Sequence, residues 1–260
     1  MKLLDLTFSS PAENLACDEA LLNWSEADGG EVLRFWEPRE PFVVVGYANK
    51  VETEVNVEAC AAKKVPIFRR CSGGGTVLQG PGCLNYTLIL QFASHPSLAN
   101  ISGANKFIME CNRAAIESEV RSQRSEIRIS VCGHTDLALA TAAPNPVNAG
   151  ESGLLVTPRK FSGNSQRRHK RALLFHGTFL LDFDLPLANE LLRMPSRQPD
   201  YRENRAHGEF LTNLSVSATR LKNALGRVWD AGGDMRDFPK DEAHRLAMEK
   251  YSTWKWNFKL

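Results

Sequence analysis

Apolar positions along this chain fall into two interleaved patterns, short alternating runs and longer stretches at helical spacing. Leu3 to Phe8 alternates as a first strand. Ser10-Pro11-Ala12-Glu13 then predicts a helix start, with Ser at the N-cap, Pro at the first helical position and Glu closing a capping box. Leu15, Ala16, Ala20 and Leu22 carry that helix to a stop at Asp28-Gly29-Gly30. Val32 to Trp36 and Phe42 to Val45 read as strands on either side of a Pro38 to Pro41 turn, and Asn56 to Lys63 as a short helix. Farther on, Tyr86 to Phe92 predicts a strand. Asn105 to Val120 predicts a helix whose Phe107, Ile108, Cys111 and Ala115 face a sheet, and Ile127 to Val131 another strand. Ala138 to Pro158, with its prolines and glycines, reads as a loop or loose hairpin and as the best candidate for a mobile segment. Leu173 to Leu181 is a β run interrupted by His176-Gly177-Thr178. Arg193 to Gly208 is polar, basic and irregular, whereas Leu187 to Leu192, Ser215 to Trp229 and Lys240 to Tyr251 read as helices. Strands and helices alternate without a regular βαβ rhythm, so the expected class is α+β, mixed sheets flanked by helices.

Composition narrows the picture modestly. A chain of 260 residues, 43% of them hydrophobic, can bury a core as one domain over 1–260. Lys and Arg (32) nearly balance Asp and Glu (30), which leaves no general basic field for nucleic acid. The six cysteines, Cys17, Cys60, Cys71, Cys83, Cys111 and Cys132, show neither a C-x-x-C pair nor zinc spacing, so a reduced, cytoplasmic protein without structural metal is expected. No run of about 18 apolar residues predicts a membrane span, and Met1 to Ser10 lacks the apolar core of a signal peptide.

Candidate chemistry gathers in two stretches. Arg69-Arg70-Cys71-Ser72-Gly73-Gly74-Gly75-Thr76-Val77-Leu78 places three glycines beside two arginines. Consecutive glycines suit unusual backbone or close ligand approach, and guanidinium forks suit phosphate or carboxylate. A β-bulge turn with a solvated arginine pair fits the same residues. The segment is not a Walker loop, because no Gly-Lys-Ser/Thr follows. In Arg159-Lys160-Phe161-Ser162-Gly163-Asn164-Ser165, a lysine on a short strand enters what reads as a Ser-Gly-Asn turn, where it would set one point charge beside a ligand. The basic run Arg167 to Arg171 reads as a solvated face. His176 is either a satisfied core histidine or a polar atom lining a pocket. Asp136 is a candidate to hold Mg²⁺ or to orient Lys160, or simply caps its own turn. Cys132, near His134, reads as an inert buried thiol like the other five cysteines, with a nucleophile as the alternative.

Taken together, these blocks resemble the lipoate-protein ligase A family, within the group that also holds biotin-protein ligases and octanoyltransferases. The matching blocks are residues 69–78, Thr135-Asp136-Leu137, 159–165, His176-Gly177-Thr178-Phe179-Leu180-Leu181 and Trp254-Lys255-Trp256-Asn257-Phe258. Gln79 and Cys83 depart from it, standing where the family often has His and Asn. The resemblance implies a biotin/lipoate-ligase-like catalytic domain, here without the C-terminal accessory domain of many ligases. It further implies ATP and Mg²⁺ as cofactors and lipoate (or octanoate) as substrate. An acyl-adenylate would form and pass its acyl group to a lysine on a lipoyl carrier domain of a 2-oxoacid dehydrogenase or the glycine cleavage H protein, with a separate accessory protein as a further partner. The implied catalytic residue is Lys160, with ATP and acyl-adenylate contacts from Arg70, Gly73, Gly74, Gly75, Thr76, Val77, Leu78, Asp136, His176, Gly177 and Thr178. Two alternatives stand beside this. One is an octanoyltransferase that draws on octanoyl-acyl carrier protein through a Cys132 thioester; the other is a non-catalytic acyl- or carrier-binding module.

Overall fold

The computed structural model describes residues 1–27, 29–121, 127–141 and 157–260. In chain order its elements are β1 (Lys2–Asp5), α1 (Pro11–Glu26), β2 (Val32–Trp36), β3 (Phe42–Val45), α2 (Val51–Glu54), α3 (Val57–Ala62), β4 (Ile67–Arg69), β5 (Val77–Gln79), β6 (Cys83–Gln91) and α4 (Ile101–Arg121). There follow β7 (Ile127–Cys132), β8 (Asp136–Thr141), β9 (Arg159–Arg168), β10 (Ala172–Leu180), α5 (Leu185–Leu191), α6 (His207–Phe210), α7 (Ala218–Val228), β11 (Gly233–Asp234), α8 (Lys240–Leu246) and α9 (Trp254–Asn257). Among the described residues, eight strands form one sheet in the order β11-β1-β2-β6-β10-β9-β8-β7, and β4-β3-β5 form a second. β1 runs parallel to β2 and β11, whereas the pairings from β2 through to β7 are antiparallel. This is the expected α+β architecture of mixed sheets with flanking helices. No helix among the described residues is long and apolar enough to cross a membrane.

Two-residue alternation along the strands assigns the faces of the large sheet. Leu33 and Phe35 of β2, Leu88 and Leu90 of β6, and Leu173 and Phe175 of β10 pack with Ile108 and Ile116 of α4 and Leu221 and Leu225 of α7. Their neighbours Val32, Trp36, Ile89 and Leu174 turn the other way, against Leu15 and Leu22 of α1 and Leu246 of α8. By the same alternation Arg34 and His176 point towards α1. Polar groups on such a face need partners, and α1 supplies Asp18.

Three local expectations change. The Ser10 side chain makes no cap bond, so the predicted capping box does not form. Instead the buried Asn14 side chain reaches back to the Phe8 amide and to the carbonyls of Phe8 and Ser10. Ser162-Gly163-Asn164 is not a turn but the middle of β9, paired with β10 on one side and β8 on the other. The predicted loop from Ala138 to Pro158 begins inside β8, and its residues 142–156, including the expected mobile part, lie outside the described residues.

A register shift between Leu137 and Ala138 matters most for function. Leu137 pairs with Ser162 but Ala138 with Lys160, so Phe161 is passed over. This bulge lets Phe161 enter the core with Phe175 and Phe179 and brings Lys160 round beside Gly163. Bulges commonly re-aim one side chain in this way.

Candidate active site

The two arginines of the glycine block hold backbone. Arg69, fully buried, donates to the carbonyls of Gly46, Tyr47, Asn49, Trp256 and Asn257. Trp256 Nε1 in turn donates to the Arg69 carbonyl at 2.8 Å. The Trp-x-Trp-Asn-Phe segment is therefore a clamp on the start of the turn. Arg70 engages all three of its side-chain nitrogens: Nε with Ser72 Oγ at 3.0 Å, Nη1 with the Val44 carbonyl at 3.4 Å, and Nη2 with the carbonyls of Gly73 and Gly75 at 2.5 and 2.7 Å. Burial pushes its guanidinium down to about 10, which leaves it charged at neutral pH. Gly74 has φ +83, and a side chain on Gly46 would put Cβ 2.1 Å from the Gly74 carbonyl oxygen. Close backbone approach, as well as backbone freedom, explains the glycines.

From the turn a polar chain runs into the sheet. Ser72 Oγ lies 2.6 Å from His176 Nε2, His176 Nδ1 lies 3.0 Å from Asp18 Oδ2, and Asp18 Oδ1 accepts from Arg34 Nη1 at 2.6 Å. Burial pushes the Asp18 carboxyl up, but Arg34 and His176 together outweigh it and hold the group below its usual range. His176 thus plays both roles considered for it, a bonded core group and a residue of the cleft wall.

The opposite wall centres on Lys160. Its Nζ lies 2.8 Å from Asp136 Oδ1, and the other oxygen, Oδ2, accepts from the Tyr201 hydroxyl at 2.8 Å. A Cβ on Gly163 would sit 2.6 Å from Lys160 Nζ, so glycine there leaves the ammonium its place. Asn164 Oδ1 accepts from the Tyr86 hydroxyl at 2.6 Å and its Nδ2 donates to the Thr135 carbonyl at 2.7 Å, fixing the turn before Asp136. Gly177 makes room for that amide, since its Cβ would fall 1.7 Å from Asn164 Oδ1. Thr178 donates to Asn85 and accepts from Gln79, while Asn85 donates to Gln79, so Gln79 closes a three-residue polar ring.

Cys132 ends β7 directly across from Asp136. It is half-buried, and burial together with Asp136 pushes its thiol up. Both oxygens of Asp136, the residue expected to place magnesium, are met by side chains, Lys160 and Tyr201, and no group of three or more His, Cys, Asp or Glu that could hold a metal ion occurs among the described residues.

These walls enclose a cleft of about 880 Å³. Arg70, Gly74, Gly75, Thr76, Val77, Asp136, Lys160, His176, Gly177 and Thr178 line it, and so do Gly133 to Thr135, next to Cys132. Leu78 instead lines a smaller apolar pocket of about 100 Å³ with Leu180, Phe183, Ala188, Leu192 and Leu211, which shares Thr76, Val77, Lys160 and Thr178 with the cleft. Gly73 lines neither; its carbonyl receives Arg70 and Ser165. Sequence reasoning missed Asp18 and Tyr201. The first carried a signal, a carboxylate within the apolar run Leu15-Ala16-Cys17-Asp18, whereas Tyr201 sits in an aperiodic basic stretch without one.

The chain belongs to the lipoyl protein ligase A/B catalytic domain family, whose model matches residues 10–224. Its relatives include octanoyltransferase LipM from Halalkalibacterium halodurans, 27% identical, and LipM from Geobacillus kaustophilus, 28% identical; each alignment covers 99% of this chain and 98% of the relative. Among solved structures, lipoate-protein ligase A bound with ATP matches with a TM-score of 0.72 at 22% identity, covering 99% of this chain and 98% of that one. A structure described as an archaeal lipoylation system, a bi-partite lipoate protein ligase and its E2 lipoyl domain from Thermoplasma acidophilum, matches at 0.71 and 20% identity, covering 99% and 95%. At these identities the structural likeness speaks for the fold.

Proposed function

We propose that this enzyme is an octanoyltransferase that takes an octanoyl group from acyl carrier protein, holds it as a thioester on Cys132, and passes it to a lysine of a lipoyl carrier domain. The observation that carries this reading is the placement of Cys132 across the β7–β8 pair from Asp136, whose carboxylate meets Lys160. A thiol and a fixed positive charge therefore belong to one small group of strand positions. The full-length likeness to LipM octanoyltransferases supports the choice of donor.

In the first half-reaction the Cys132 sulfur bonds to the octanoyl carbonyl carbon, the bond from that carbon to the carrier sulfur breaks, and the Cys132 proton ends on the departing carrier thiol. In the second, the lipoyl-domain lysine nitrogen bonds to the same carbon, the Cys132 sulfur leaves, and one amine proton passes to it. Each step gathers negative charge on the carbonyl oxygen. Lys160, held by Asp136 and by the space at Gly163, faces that charge with little reorganisation. The apolar pocket behind Lys160 takes the saturated chain, with Ala188 and Phe183 among its walls.

The size of the cleft favours a second reading, ATP-dependent activation of lipoate or octanoate, because about 880 Å³ also admits a nucleotide. Gly74 to Val77 would then lie along it. A lipoyl-domain labelling assay separates the two. Octanoyl-carrier protein without ATP is expected to label the domain, Cys132→Ser and Lys160→Ala to abolish labelling, and free octanoate or lipoate with Mg-ATP to give none. ATP-dependent labelling that survives Cys132→Ser would replace the first reading with the second. No labelling from any donor would favour a binding module.

A further inference from the structure

Tyr201 lies outside every motif block, yet it touches the centre of the site. We propose that Tyr201 is a positioning residue for acyl transfer, fixing Lys160 through Asp136 and pinning the strap of residues 197–202 over the turn beside Cys132. The proposal rests on the transferase reading only for the donor used in its test.

Asp136 has two oxygens and two donors. With Oδ2 on the Tyr201 hydroxyl at 2.8 Å, the carboxylate is left one orientation in which Oδ1 meets Lys160 Nζ at 2.8 Å. Burial, and Asp136 beside it, push the Tyr201 phenol well up, so it stays protonated and donates. The strap is well founded. The Tyr201 ring packs on Phe210 at 5.2 Å, the guanidiniums of Arg202 and Arg205 lie over Phe210 at 4.7 and 5.2 Å, and Arg205 donates to the Tyr201 carbonyl at 2.7 Å. Just beyond Phe210, the Thr212 amide donates to the Lys160 carbonyl at 2.9 Å. Residues 201–212 therefore reach Lys160 twice, at its main chain through Thr212 and at its ammonium through Tyr201 and Asp136.

The strap also rests on the cysteine turn. Gly133 has φ +56, and a Cβ there would sit 3.2 Å from Pro199 Cβ and 3.7 Å from the Tyr201 ring. Pro199 and Tyr201 thus cover the residue next to Cys132, and both line the cleft.

Tyr201→Phe removes the hydroxyl and leaves the ring on Phe210. In the full chain, with the donor that the wild type uses, it is expected to lower kcat about 10- to 100-fold with KM little changed. Peptide-resolved alkylation with iodoacetamide is expected to be faster at Cys132 and unchanged at Cys111, the other half-buried cysteine. Asp136→Asn combined with Tyr201→Phe is expected to be no worse than the poorer single variant, because both break one chain of contacts. An unchanged kcat, an additive double variant, or equal acceleration at Cys111 would overturn the proposal. The wild-type arm alone reports which donor is used, so a failure of the transferase reading stays distinct from a failure at Tyr201.

Discussion

Ser72 Oγ and His176 Nε2 lie 2.6 Å apart, joining the glycine turn to the central strand β10. Because Ser72 also accepts from Arg70 Nε, and His176 also meets Asp18, one contact links the carbonyls of Gly73 and Gly75 to the buried Asp18–Arg34 pair. Asp18 of that pair itself lines the cleft.

His176→Ala breaks this link without removing a charge partner of Arg34. Octanoyl transfer is expected to fall by about 10- to 100-fold, the scale of a small misplacement at the reacting centre, while His176→Gln, which keeps a hydrogen-bonding side chain, recovers part of the rate. Initial rates at matched thermal stability check this. Equal rates in His176→Ala and wild type would show that the link is not needed.

Asp18→Asn tests the anchor. Removing one partner of a buried pair costs about 3–5 kcal/mol, to be read from denaturant unfolding at pH 7. The Asp18 carboxyl is held below its unfolded value, so its contribution is complete above about pH 4 and drains away as pH falls through the folded value. The stability gap between wild type and variant should accordingly narrow in acid. A gap that is constant down to acid unfolding would contradict it.

Gly163→Ala places a methyl where Lys160 Nζ now lies. The end of a lysine moves easily, so the thermal midpoint should change little while transfer falls by about 10- to 100-fold. A variant as active as wild type would mean that Lys160 does not act from its position beside Asp136.

Ala188→Phe fills the apolar pocket, in which Ala188 is buried. The expected outcome is a shift in donor preference from octanoyl to shorter chains, alongside an overpacking cost of about 1–3 kcal/mol. Comparing rates for butanoyl, hexanoyl and octanoyl carriers reads this independently of stability. An unshifted preference would place the chain elsewhere.

The strands were legible in the sequence as short apolar runs, Val32 to Trp36 and Leu173 to Leu181 among them, and the blocks at 69–78, 135–137, 159–165 and 176–178, singled out together by the family resemblance, do converge on one cleft. What stayed hidden depends on contacts between distant positions. The Phe161 bulge turns an apparent Ser-Gly-Asn turn into a strand and re-aims Lys160, a consequence of pairing with β8 that no local signal carries. Arg70, an anion ligand by residue type, also holds the turn through the Gly73 and Gly75 carbonyls while it lines the cleft, a second role that no local signal carries. Asp136, a metal ligand by residue type, meets Tyr201 and Lys160, and of these two contacts the sequence suggested only Lys160.

The central claim, covalent transfer through Cys132, is tested most directly by intact-protein mass spectrometry after brief exposure to octanoyl-carrier protein without an acceptor domain. A gain of one octanoyl group is expected, located at Cys132, released by hydroxylamine and absent from Cys132→Ser. No adduct on wild type, together with full transfer by Cys132→Ser once the lipoyl domain is added, would contradict it.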